Sequence, residues 1–377
     1  MLKRTIQKHI EKFFFQNKLI IIHGARQVGK TTLVKELQKK YSADSFYLNC
    51  DEPDVRSSLA NATSTEIKNL IGRKKVVFID EAQRIINIGI TMKLMVDQFP
   101  NVQIVATGSS SLYLSNEIVE PLTGRKYEFQ LHPLSLAELK QKYSKIELDR
   151  ILEKRIVMGM YPEIEEKQDV DHILLKNLSS SYLYKDVLQY QDIRRPELLE
   201  KLLVALALQI GQEVSYNRLS NSLGVNKQTI SNYIDLLEKS FVIFRLTPFS
   251  RNLRNELTKL RKVYFYDTGI RNALINNINA FRLRQDVGQL WENFMISERR
   301  IQNDNNLNYV NSYFWRTHNR SEIDYIEEKG GRLSAFEFKW KPGRLRVPRE
   351  FQSSYSDCPV KEISSKNYSE FIDMLNI

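Results

Sequence analysis

Two groups of residues, far apart in the chain, have the types and spacing to do chemistry. Near the start, Gly24-Ala25-Arg26-Gln27-Val28-Gly29-Lys30-Thr31, followed by Thr32, fits the pattern G-x-x-x-x-G-K-[ST]. The glycines let backbone N–H groups face the β- and γ-phosphates of a nucleotide. Lys30 supplies a point charge, Thr31 a hydroxyl for Mg2+, and the helix that follows adds its N-terminal dipole. Near the end, Asp324 precedes Glu337-Phe338-Lys339, the acid, acid-x-lysine arrangement of metal-dependent nucleases. Residues i and i+2 of a strand share a face, so Glu337 and Lys339 point one way while Phe336 and Phe338 enter the core. If the two strands pair across Gly330-Gly331, Asp324 joins them. The two carboxylates then hold Mg2+, and Lys339 steadies the attacking water or the phosphate charge. Glu292, on a predicted helix, adds a further acid for the metal.

The phosphate loop has companions. The apolar run Val76-Val77-Phe78-Ile79 ends in Asp80-Glu81, where Asp80 is placed to hold Mg2+ and Glu81 to orient or deprotonate the attacking water. Ser109 or Ser110 could sense the γ-phosphate through a hydroxyl. Arg26 could touch phosphate from within the loop. Arg125, in Leu122-Thr123-Gly124-Arg125, reads equally as an arginine finger, in cis or from a neighbouring subunit, or as a structural or DNA-facing arginine. ATP and Mg2+ are the expected cofactors.

These residues need a scaffold. Short β-branched runs at 19–22, 45–48, 76–79 and 102–106 alternate with helical stretches, which predicts an α/β parallel sheet of the P-loop class with a catalytic glutamate over residues 1–135. A helical lid or linker is expected over 136–200, opened by Ser135 as N-cap with Glu138 three residues on. Over 201–285, two helices separated by Gly224 outline a helix-turn-helix, and runs at 241–246 and 263–266 could form a wing. Asn226, Lys227, Gln228, Thr229 and Asn232 would then open the helix that enters the major groove. Arg245, Arg251, Arg254, Lys259, Arg261, Lys262, Arg271, Arg282 and Arg284 suggest a basic surface beside it. Residues 286–377 read as a second, restriction-endonuclease-like α/β unit, with Lys341, Arg344, Arg346 and Arg349 just after the acid-x-lysine triplet.

The 377 residues exceed one ordinary domain, and a net charge of +11 with a pI near 9.3 favours a polyanionic partner, DNA above all. Cys50 and Cys358 have neither metal-ligand nor disulfide spacing. No basic start leads into a long apolar core, and Leu198 to Ile210 is too short and too charged to span a bilayer. A soluble, cytoplasmic protein is expected, acting without a membrane. A homo-oligomer or a protein partner is compatible with the same features.

At this point the residues carry a resemblance. The chain resembles the widespread prokaryotic AAA-type ATPases whose C-terminal domain of unknown function is built from a winged helix and a PD-(D/E)xK nuclease-like module. The matching stretches are Gly24 to Thr32, Val76 to Gln83, Thr107 to Ser111, Gly124-Arg125, Met160-Tyr161-Pro162-Glu163, Tyr184-Lys185-Asp186, Tyr266-Asp267-Thr268-Gly269, Trp291-Glu292-Asn293 and Glu322 through Lys339. The resemblance implies ATP binding with Mg2+ and a nuclease-like C-terminus. Ile323, where that pattern has proline, departs from it. Two functions follow as expectations: an ATPase whose nucleotide state controls DNA binding or cleavage, and a non-cutting ATP-dependent switch that binds DNA or a protein through its winged helix.

Overall fold

The computed structural model describes residues 2–109, 120–167, 172–182, 195–249, 261–317 and 321–374. Ser110, Tyr184-Lys185-Asp186, Arg251, Arg254 and Lys259 lie outside them.

The first unit is built on β1 (Leu19–His23), β2 (Ser45–Asn49), β3 (Val76–Asp80), β4 (Gln103–Gly108) and β5 (Lys126–Gln130). All pair in parallel, in the order β2-β3-β4-β1-β5. β1, β3 and β4 are buried along their whole length, because helices cover both faces and each strand can be apolar throughout. Those helices include α1 (Gln7–Lys12), α2 (Lys30–Lys40), α3 (Pro53–Leu59), α4 (Ser64–Ile71) and α5 (Ile88–Gln98). The 45–48 run that separates the two motifs in sequence lies at the sheet edge, and β4 is the strand inserted between β1 and β3.

Helices α6 (Leu136–Leu139), α7 (Lys145–Met158), α8 (Pro162–Glu166) and α9 (His172–Tyr182) follow. Ser135 and Glu138 form the expected capping box at α6. Then come α10 (Pro196–Leu208), β6 (Glu213–Val214), α11 (Tyr216–Leu223), α12 (Lys227–Lys239), β7 (Ile243–Pro248), β8 (Arg261–Phe265) and α13 (Thr268–Leu274). α11 stops at Gly224 in a left-handed conformation, and Asn226 caps α12 by accepting from Thr229 N at 2.7 Å.

The last unit has α14 (Val287–Asn305), β9 (Asn311–Arg316), β10 (Glu322–Lys329), β11 (Arg332–Phe338), α15 (Arg349–Ser354), β12 (Val360–Ile363) and α16 (Tyr368–Asp373). Its sheet does not stand alone. β7 pairs in parallel with β9, giving one seven-stranded sheet in the order β12-β11-β10-β9-β7-β8-β6. The separation expected at residue 285 is therefore crossed by a continuous ladder.

Two stretches singled out by resemblance meet here. Asp267 accepts from Met160 N at 2.7 Å and caps α13 through Ile270 N at 2.9 Å, locking the Met160-Tyr161-Pro162 turn onto the start of α13.

Candidate nucleotide cleft and C-terminal acid cluster

β1 ends at His23, and the chain turns back into α2 through the glycine-bearing loop. Gly24 has no room for a side chain: a Cβ there would stand 2.2 Å from Leu131 O. Gly29 caps α2 at φ 97°, a conformation glycine adopts without penalty. Because the strands are parallel, the loop, Asp80 and the end of β4 share one edge of the sheet, where open α/β sheets bind ligands.

A cleft of about 610 Å³ opens there, lined by Arg26, Gln27, Lys30, Thr31, Asp80 and Glu81 among others. Lys30 is buried, and its Nζ donates to Gly24 O at 3.0 Å and Ala25 O at 2.8 Å. Asp80 accepts from Tyr47 Oη at 2.7 Å and, through its other oxygen, from Thr107 Oγ1. Thr107 Oγ1 also accepts from Glu81 N at 3.0 Å, so one hydroxyl of β4 ties the two acids together. The Glu81 carboxylate accepts from Gln83 Nε2. Thr31 and Asp80 face the same cleft from opposite walls, an oxygen pair that suits a hard cation bridging to phosphate.

Val28, Gly29 and Thr32 face a second, larger cavity of about 1330 Å³ between α2, the N-terminal segment and Leu134. Arg4 closes its floor. Its guanidinium donates to Val28 O at 2.7 Å and His132 O at 2.6 Å and pairs with Glu138 at 3.1 Å. Arg4 was not singled out by the sequence, and Thr107 only as the start of a stretch carrying the resemblance. The role of Thr107 was hidden because a threonine closing an apolar strand looks like any strand residue, and Arg4 because its partners lie more than twenty residues away.

Arg125 lies elsewhere. It precedes β5, its carbonyl accepts from Leu19 N at the start of β1, and its Nε pairs with Asp97 at 2.7 Å. That is the end of the sheet opposite the phosphate loop, so the in-cis arginine-finger expectation is corrected. Ser109 is buried just beyond β4, on the loop's side of the sheet.

Residues 16–140 match the family described as AAA domain. This match makes that part of the chain P-loop ATPase-like, and the cleft just described lies within it. Residues 149–280 and 287–370 match two further families, described as Domain of unknown function (DUF8612) and Domain of unknown function (DUF4143). Similar proteins include an uncharacterized protein of Methanocaldococcus jannaschii, 26% identical and covering 86% of this chain and 75% of its own length. Another is an uncharacterized protein of Mycobacterium tuberculosis, 25% identical, covering 96% of this chain and 79% of its own length. A crystal structure of a Candida albicans helicase aligns at 12% identity over 41% of this chain and 44% of that one, with a TM-score of 0.27. A likeness that low carries no argument.

The C-terminal acids also come together, with an addition. Tyr325 pairs with Phe336 across the β10–β11 hairpin, and Asp324 accepts from Phe338 N at 2.9 Å. Glu337 lies beside it on β11, with Lys339 Nζ at 3.6 Å. Glu292 of α14 accepts from Tyr264 Oη at 2.6 Å and from Lys262 Nζ at 3.1 Å, and Lys262 also pairs with Glu322. Burial, and then the Asp324 charge, push Glu337 up to about 8 against the pull of Lys339. Burial pushes Glu292 up to about 7, opposed first by Lys262. Asp324 is raised by burial, with Lys262 the leading opposing charge.

The expectation that Glu292, Asp324 and Glu337 share a divalent cation is corrected by this arrangement. Among the described residues, no group of three His, Cys, Asp or Glu is arranged to hold a metal ion. The Lys262 ammonium, 1% exposed, holds the Glu292 carboxylate, one of the three expected ligands. The described basic residues over 239–284 are largely engaged by acids. Arg245 pairs with Glu238 and Asp235, Arg271 and Arg284 with Asp286, Arg282 with Glu153, and Lys262 is buried. By contrast Lys341, Arg344, Arg346 and Arg349 are exposed, as are Asn226, Lys227, Gln228 and Asn232 at the start of α12. Cys50 and Cys358 are buried free thiols, and no described helix is long and apolar enough to cross a membrane.

Proposed function

We propose that this protein binds and hydrolyses ATP, and that its nucleotide state sets the affinity of the α11–α12 pair and the C-terminal basic segment for DNA. The observation that carries the reading is the convergence of Lys30, Thr31, Asp80 and Glu81 on one cleft at the carboxyl edge of a parallel sheet.

In this reading the β- and γ-phosphates lie along the loop, and Lys30 exchanges its bonds to Gly24 O and Ala25 O for phosphate oxygens. Thr31 and Asp80 are the residues that would hold Mg2+, which would neutralise charge on the phosphates. Glu81, anchored through Gln83 and its own N–H, accepts the proton of the attacking water. The base and ribose take the larger cavity on the far side of the loop, beside Thr32 and Leu134. On the DNA side, α11 and α12 act as a helix-turn-helix, with Asn226, Lys227, Gln228 and Asn232 toward the groove. Lys341, Arg344, Arg346 and Arg349 supply phosphate contacts, and these weaken steeply as salt rises.

The deciding experiment measures ATP turnover, and the affinity for a labelled duplex with ADP or a non-hydrolysable ATP analogue, on the intact protein and on Lys30→Ala. The expected result is turnover lost in Lys30→Ala and a duplex affinity that differs between the two nucleotides only in the unmutated protein. Equal affinity in both nucleotide states would reject the switch.

A further inference from the structure

Lys262 is the odd residue of its strand. Val263, Tyr264 and Phe265 beside it are fully buried, and the lysine is carried to the same depth. Its ammonium lies 3.1 Å from Glu292 Oε1, is paired with Glu322, and sits 5.5 Å from the centre of the Phe314 ring. Burial opposes its charge, and the carboxylates of Glu292, Glu322 and Asp324 more than offset that, leaving it firmly protonated. An ammonium withdrawn from water costs several kcal/mol unless it is paired and hydrogen-bonded. The acids need it in the same way, since several carboxylates crowded out of water cannot all ionise without a counter-charge.

A divalent cation held by Glu292, Asp324 and Glu337 would compete with Lys262 for the Glu292 carboxylate. Mg2+ and Mn2+ bind carboxylate oxygen at about 2.1 Å and cannot share a pocket with a protonated amine that holds those oxygens. The cation is delivered from outside the C-terminal unit, because β8 pairs with β7, which follows α12, and is held directly against α14 by the bonds of Phe265 with Asn293.

We propose that Lys262 is the resident cation of the Glu292–Glu322–Asp324–Glu337 cluster, filling the place of a divalent metal and closing the cluster to one. The cluster then holds its shape without metal, and the exposed Lys339 and the basic residues after it remain available to phosphate. This does not depend on the nucleotide reading.

The test is an Mn2+ titration followed by electron paramagnetic resonance on the full-length, nucleotide-free protein, in an Asp80→Asn background so that the carboxylate expected to hold a cation in the nucleotide cleft is removed. The chain with Lys262 intact should bind no Mn2+ at sub-millimolar concentration. Lys262→Met should gain one site, bound at least tenfold more tightly, and Lys262→Met combined with Glu337→Gln should lose it again. Circular dichroism checks the fold, and Lys262→Gln replaces Lys262→Met if the latter unfolds. Mn2+ binding that is present with Lys262 in place and removed by Glu337→Gln would overturn the proposal. So would a folded Lys262→Met or Lys262→Gln protein that gains no site.

Discussion

The imidazole of His23 lies stacked on the ring of Phe241, with centroids 5.3 Å apart and planes 15° from parallel. His23 is the last residue of β1, one bond before the phosphate loop, and Phe241 follows α12 at a φ of 60°. Burial, then the charges of His132, Lys126 and Lys30, pull His23 down to about 3, so the stacked ring is neutral at ordinary pH. A shift of the loop has a direct route through this stack to the end of α12. Contact of this kind is a structural relation, and coupling must be measured.

Phe241→Ala is expected to leave ATP turnover within about twofold and to erase the difference in duplex affinity between ADP and ATP-analogue states, read by fluorescence anisotropy. Removing a buried ring costs about 3 kcal/mol, so thermal unfolding should fall while the fold persists. A mutant that keeps the affinity difference would show that the signal travels elsewhere.

Lys30→Ala should lose nucleotide binding, followed with a fluorescent ADP analogue. Glu81→Gln should bind as tightly as the parent and turn over about 10²- to 10⁴-fold more slowly, because only proton acceptance from water is removed. Equal turnover would place the base on another residue.

Arg125→Ala should leave ATP turnover unchanged at any protein concentration, because Arg125 is held by Asp97 at the far end of the sheet. A loss of activity that grows with protein concentration would instead place this arginine at a neighbour's phosphates.

Much of the AAA domain was legible in the sequence. β1, β3 and β4 are apolar throughout because they are central in a parallel sheet, and the loop signature sits between a strand and a helix as its chemistry requires. β5 was not legible. It is an edge strand whose Lys126, Glu128 and Gln130 alternate with Tyr127 and Phe129, and no turn signal sets it apart. In the C-terminal unit the hairpin that carries Asp324 and Glu337 could be read from its Gly330-Gly331 turn. The depth of Lys262 could not, because it follows from the parallel pairing of Thr247 with Tyr313, more than sixty residues away. A lysine leading a Val-Tyr-Phe run was the one local sign. The acids that engage Arg245, Arg271 and Arg284 were hidden for the same reason: charge is visible in sequence, and its partner is not.

The pH dependence of stability has a definite sign. Burial pushes Glu298 up to about 8, with the bond from Leu136 N opposing, and Asp267 is pushed up to about 6 by burial despite the backbone N–H groups it accepts. In both, the folded state holds its proton at a pH where the unfolded chain has released it. The stability these groups confer is complete below about pH 4 and is lost as pH rises through 6 for Asp267 and through 8 for Glu298. The melting temperature should therefore fall between about pH 4 and pH 8, with Glu298 alone carrying the part above pH 6. Glu298→Gln, which keeps an acceptor for Leu136 N, should flatten the upper part of that fall. A parallel decline in both proteins would exclude Glu298 as its source.

Asp267→Ala should cost about 2–4 kcal/mol in chemical denaturation, since it strands the buried N–H of Met160 and uncaps α13 at Ile270. Asp267→Asn should recover part of the loss, because the amide oxygen still accepts one of those bonds. A loss under about 0.5 kcal/mol would mean that water serves these donors.

The seam between the family matches at 149–280 and 287–370 runs through a single hydrogen-bonded sheet. A fragment cut at that seam would carry β7 with its β9-facing edge bare, a ready template for another chain's strand, and would leave Glu292 and Glu322 without their lysine. Neither half is a spare part that could be grafted onto a different ATPase. They travel as one cassette, and a protein that inherits the acids must inherit the hairpin that neutralises them.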